Sequence, residues 1–154
     1  MIQYTGRGVI LVGESRIESY EEVSAYLAKL KLALGNGAII NFQNERSVDA
    51  NRNVKYTNKF TMSDLFPDED PNTVLKRELQ TLTVANYIKT VRDTRFPNRS
   101  EMREFGKTYT GEAEVYIKVR VELLNVACGG NHTVFVMSFH YAQTPFSEER
   151  FPYA

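Results

Sequence analysis

The chain has 154 residues, 42% of them hydrophobic and 25% charged, with a formal net charge of zero. That is enough for one domain with a real core. It is too neutral for a broad nucleic-acid-coating surface. A single cysteine, Cys128, excludes an internal disulfide framework, and with only two histidines it falls short of the four ligands of a structural zinc site.

No apolar run approaches the roughly 18 residues that span a bilayer. Met1–Gly13 lacks the basic and apolar regions of a signal peptide. Together these features point to the cytoplasm, with no membrane partner. Charge is unevenly spread: residues 86–120 hold eight Lys/Arg against five Asp/Glu, whereas 64–70 hold four acids and no base. A local basic cleft fits this distribution.

In chain order, Val9–Val12 reads as a short buried strand. Ser19 followed by Glu22 is a capping box. Behind it, Val23, Tyr26, Leu27, Leu30 and Leu34 recur at helical spacing, which predicts a helix over Tyr20–Leu34 with Gly35 as its stop. Asn36–Gly37 turns the chain into a second strand, Ala38–Phe42. Asn44–Asn53 is polar and reads as a loop or hairpin turn. Val54–Phe60 reads as a third strand.

Asp70–Pro71 supplies a helix cap and a first-position proline. Val74, Leu75, Leu79 and Leu82 form that helix's apolar face. A further helix is predicted over Val84–Arg92, with Val84, Tyr87, Ile88 and Val91 inward. Phe96–Pro97–Asn98 breaks it. Arg95–Lys107 then reads as a charged connection.

The last third carries the strongest pattern. In Val115–Leu123, Val115, Ile117, Val119, Val121 and Leu123 alternate with Tyr116, Lys118, Arg120 and Glu122. A turn at Cys128–Asn131 precedes a second strand, Val134–Tyr141, so the pair reads as an antiparallel hairpin. Pairing Val119 with Met137 and Ile117 with Phe139 buries both apolar sets. It also sets Tyr116 opposite His140 and Lys118 opposite Ser138 on a solvent-facing surface. A one-residue slip would bury lysine and arginine. The order of elements implies an α+β fold: an antiparallel sheet, helices on one face and a C-terminal β-hairpin, in one domain.

Common motifs are absent. Gly6, Gly8 and Gly13 have no Gly-Lys-Ser/Thr at phosphate-loop spacing, so the phosphate-loop reading fails. Asp68–Asn72 starts like a calcium loop, but Thr73 and Leu79 occupy positions that need glycine and glutamate. What remains is chemistry suited to RNA. A 2′-hydroxyl can attack the adjacent phosphate if a base, an acid and cations are supplied. Histidine serves the proton transfers, Lys and Arg the phosphorane charge, and tyrosine can orient the phosphate or stack on a base.

Short motifs over residues 82–141 carry a resemblance. They are Tyr87–Ile88–Lys89–Thr90, Met102–Arg103–Glu104, Val115–Tyr116–Ile117–Lys118 and Val136–Met137–Ser138–Phe139–His140. In this stretch the chain resembles the motility quorum-sensing regulator family of messenger-RNA-cleaving toxins, relatives of the RelE and barnase-like ribonucleases. His140 and Arg103 stand where that family has lysine and glutamine, and Ile88 is inserted. Over most of its length the chain also resembles proteins of bacterial mobile elements and phage.

The toxin resemblance implies a metal-independent endoribonuclease without cofactor. RNA would be its substrate, and a cognate antitoxin or other protein its partner. It implies catalytic roles for His140, Lys89, Arg103 and Tyr116. Lys118, Arg120, Arg95, Arg99 and Lys107 are the candidates for substrate binding. The same residues also suit a solvated strand face. A non-catalytic protein-binding or nucleotide-binding role is the alternative.

Overall fold

The computed structural model describes residues 3–5, 8–10, 13–45, 51–122 and 132–154. Predicted features at Leu11–Val12, Leu123 and the Cys128–Asn131 turn lie outside the described residues, as does the middle of the Asn44–Asn53 loop.

The architecture is α+β. Strands β1 (Gln3–Thr5) and β2 (Gly8–Ile10) form a small antiparallel pair. The main sheet contains β3 (Glu14–Arg16), β4 (Ile39–Phe42), β5 (Tyr87–Arg92), β6 (Met102–Tyr109), β7 (Ala113–Glu122) and β8 (Thr133–Tyr141). Their spatial order is β3-β5-β6-β7-β8-β4, antiparallel except where β4 runs parallel to β8.

Helix α1 (Tyr20–Gly35) starts at the predicted capping box, with Ser19 Oγ accepting from Glu22 N and Glu22 Oε1 from Ser19 N. Its stripe of Val23, Tyr26, Leu27, Leu30 and Leu34 is buried, as expected. The helix runs through Gly35 and is capped by Asn36; the left-handed residue is Gly37, at φ 77°. Helix α3 (Pro71–Leu79) starts on Asp70, whose carboxylate accepts from Thr73 N. The buried side chains of α1 and α3 join Phe105, Ile117, Val119 and Phe139 in one core on one sheet face.

Three element assignments are corrected. Val54–Phe60 is not a strand. It forms a short 3-10 turn, Val54–Tyr56, and the start of α2 (Asn58–Leu65). Asn53 Oδ1 accepts from Lys55 N and Thr57 Oγ1 from Phe60 N, so two successive side-chain caps favour helical turns. Val84–Arg92 is not a helix: a turn at Val84–Asn86 leads into β5. Tyr87 pairs with Phe105 and Lys89 with Glu104, leaving Ile88 as an extra, bulged residue. Tyr87 and Ile88 are therefore both buried, which mimics helical spacing. Finally, the supposed connection Arg95–Lys107 contains most of β6, a central strand.

A second bulge shapes β8. Ile117 pairs with Phe139, but Val119 pairs with Val136 rather than with Met137. Met137 is the extra residue. Val134 and Val136 before the bulge, and Phe139 and Tyr141 after it, all reach the core despite their opposite parity. Helix α2 secures this irregularity. Asn58 Nδ2 donates to Met137 O and Gln43 O, and Phe139 N donates to Asn58 Oδ1, at 2.8–3.0 Å. Thr61 Oγ1 accepts from Tyr141 N. Where β4 stops pairing, α2 side chains thus satisfy the edge of β8.

Candidate functional site on the outer sheet face

The sheet face opposite the helices gathers the chemistry. Register places Lys89, Glu104, Lys118 and Ser138 in one row across β5, β6, β7 and β8. The next row holds Gly106, Tyr116 and His140. The Tyr116 and His140 rings lie 5.4 Å apart, tilted by 37°. These residues line a polar cleft of about 380 Å³. Arg52 and the C-terminal residues Gln143, Thr144 and Arg150 complete its wall.

The face is more covered than its alternation implies. His140 is only 5% and Glu104 only 4% exposed. Part of the cover is the C-terminal segment. A Cβ on Gly106 would come within 2.8 Å of both the Phe146 and Phe151 rings, so those rings lie directly on the β6 backbone.

The charge is lopsided. Among the described residues lining the cleft, Arg52, Lys89, Lys118 and Arg150 face one carboxylate, Glu104. Among the described residues, the buried Arg52 Nη1 has no hydrogen-bond partner. A buried unpaired cationic donor is costly, and an anionic ligand would satisfy it. His140 Nδ1 lies 2.9 Å from Tyr141 O. A carbonyl only accepts, so Nδ1 carries the hydrogen and Nε2 is the atom able to exchange a proton.

Of the predicted catalytic residues, Lys89, Tyr116 and His140 therefore share the cleft, joined by Lys118. Arg103 does not. Register pairs it with Val119, on the helix side of the sheet. There its Nε donates to Glu18 Oε1 at 2.8 Å, and its guanidinium lies 4.4 Å from the Tyr26 ring centroid. Thr90 also donates to Glu18, and Tyr87 OH contacts Thr90. Burial pushes the Glu18 carboxyl up, but the Arg103 and Thr90 hydrogen bonds and the Arg103 and Arg16 charges outweigh it. The net position is below the ordinary 4.5. Arg103 locks the fold.

The remaining basic candidates also lie apart from the cleft. Arg120 covers the Phe135 ring at 4.7 Å and pairs with Glu122. Arg95 pairs with Asp93, and Arg99 stacks on Phe96 at 4.1 Å. Lys107 bonds Glu78 and Thr81. Glu104, Arg52 and Arg150 are cleft residues not singled out from sequence. Strand pairing identifies Glu104 once β6 is recognised. No local pattern marks the two arginines, which come from distant loops.

Among the described residues, no helix is long and apolar enough to cross a membrane, and no group of three or more His, Cys, Asp or Glu could hold a metal ion. In comparisons with known proteins, the chain matches no family model, no curated protein and no solved structure.

Proposed function

We propose that this chain is a metal-independent endoribonuclease that cleaves RNA by 2′-hydroxyl attack, with the outer-face cleft as its active site. The observation that carries this reading is the co-location of His140, Tyr116, Lys89 and Lys118 with Glu104 in one cation-rich cleft.

The roles follow from chemistry. Glu104, the one carboxylate among the described lining residues, takes the 2′-hydroxyl proton. His140 enters the step as the imidazolium and gives its Nε2 proton to the leaving 5′-oxygen; Glu104 then releases its proton and His140 regains one through solvent. Lys89 and Lys118 stabilise the phosphorane charge. Tyr116, beside His140, orients the phosphate or stacks on a base. The products are a 2′,3′-cyclic phosphate and a 5′-hydroxyl. The resemblance to messenger-RNA-cleaving toxins supports the same reading and adds an antitoxin as the partner class.

The test is cleavage of single-stranded RNA by the purified protein with a chelator present. End analysis should find a cyclic phosphate, and a 2′-deoxy substitution at the cut position should block cleavage. Induced expression should slow growth. Folded protein that cuts no RNA and leaves growth unchanged would move the conclusion to a binding protein.

A further inference from the structure

The C-terminal segment after β8 is pinned to the sheet as a strap that forms part of the cleft wall. Phe146 N lies 3.2 Å from both Glu114 carboxylate oxygens. The Phe146 and Phe151 rings meet edge to face at 5.3 Å, seated on Gly106. Tyr153 OH donates to Glu18 O at 2.6 Å, and its ring packs on Tyr20 and Tyr87. A central strand keeps a glycine for this contact although glycine weakens strands.

What the strap brings to the cleft is a cation. Arg150 lies in the short turn Glu148–Arg150, its guanidinium 5.4 Å from the Phe146 ring centroid. It makes no ion pair among the described residues, and it lines the cleft with Gln143 and Thr144. A cleft of about 380 Å³ lies near the lower end of small-molecule sites. A chain of several nucleotides must therefore leave it over the rim.

We propose that Arg150 is a substrate-binding residue that holds a phosphate flanking the scissile one in single-stranded RNA. The inference rests on the endoribonuclease reading and extends it to a second phosphate subsite. Sheet-borne Lys89 and Lys118 serve the reacting phosphate, and strap-borne Arg150 serves its neighbour.

The experiment compares wild type, Arg150→Ala and Gly106→Val, with Lys31→Ala as a remote control. Binding of an uncleavable all-deoxy decanucleotide is measured by fluorescence anisotropy over a salt series. Loss of one phosphate contact should reduce the slope of log K against log salt by about 0.7. Cleavage of a decaribonucleotide should lose roughly tenfold in kcat/KM, mainly through KM. A dinucleoside monophosphate, which has no flanking phosphate, should lose at least about threefold less. Gly106→Val, shown folded by circular dichroism, should reproduce the loss by unseating the strap. An unchanged salt slope and KM in Arg150→Ala would overturn the inference, as would an equal loss on both substrates. Wild type that binds the decanucleotide but cuts no RNA overturns the ribonuclease reading, and a phosphate contact by Arg150 then stands or falls on the salt slope alone. Wild type that binds no oligonucleotide overturns both.

Discussion

Tyr116 and His140 stand directly opposite each other across β7 and β8, with ring centroids 5.4 Å apart. The pairing is a consequence of burial on the other face, where Ile117 meets Phe139 beneath α1 and α3. The core thus sets the chemistry on the opposite side of the sheet.

In the proposed reaction His140 supplies the proton for the leaving group. His140→Gln should lower single-turnover cleavage by about two to four orders of magnitude. Its melting temperature should be checked alongside, because the ring is buried. Undiminished cleavage by a folded variant would remove His140 from the mechanism.

In the proposed reaction, Glu104→Gln and Lys89→Ala act on different steps. The first removes the base, the second removes positive charge from the phosphorane, and each should reduce kcat by at least about tenfold. Cleavage by wild type should persist in chelator, because side chains perform both proton transfers. Full activity in Glu104→Gln would assign the base elsewhere.

Arg103→Ala should act on stability. It leaves Glu18, 4% exposed, buried without its main partner. The expected cost is about 3–5 kcal/mol in denaturant unfolding. Cleavage per folded molecule should be largely kept. A stable but inactive variant would return Arg103 to the site.

The same pair predicts an acid response. The folded Glu18 carboxyl titrates below its ordinary 4.5. Its contribution is therefore complete above that value and is lost as pH falls through the lower, folded value. In Glu18→Gln the decline of unfolding free energy below pH 4.5 should be shallower than in wild type. Parallel acid profiles would contradict the assignment.

Two packing changes probe the frame. Leu27→Ala, at a position 4% exposed, should cost about 2–5 kcal/mol. Asn58→Ala strands the Phe139 N–H and two carbonyls at the β8 bulge. It should cost at least about 1–3 kcal/mol. Equilibrium unfolding measures both; a loss under roughly 0.5 kcal/mol, the scale of ordinary surface changes, would show that the site is not so constrained.

Local patterns determined α1, α3, β4 and the β7–β8 pairing, because each rests on short-range signals. Ser19 and Glu22 cap one helix, Asp70 and Pro71 start another, and nine alternating residues have only one face to bury. Tertiary structure decided the rest. The bulges at Ile88 and Met137 reverse side-chain parity within a strand, and strand pairing alone reveals where parity changes. Hence β5 resembles a helix in sequence, and Arg103 and Lys89 fall on opposite faces. Arg52 and Arg150 reach the cleft through loop and strap packing. Their position depends on contacts between segments far apart in the chain, such as the Phe146 and Phe151 rings on Gly106.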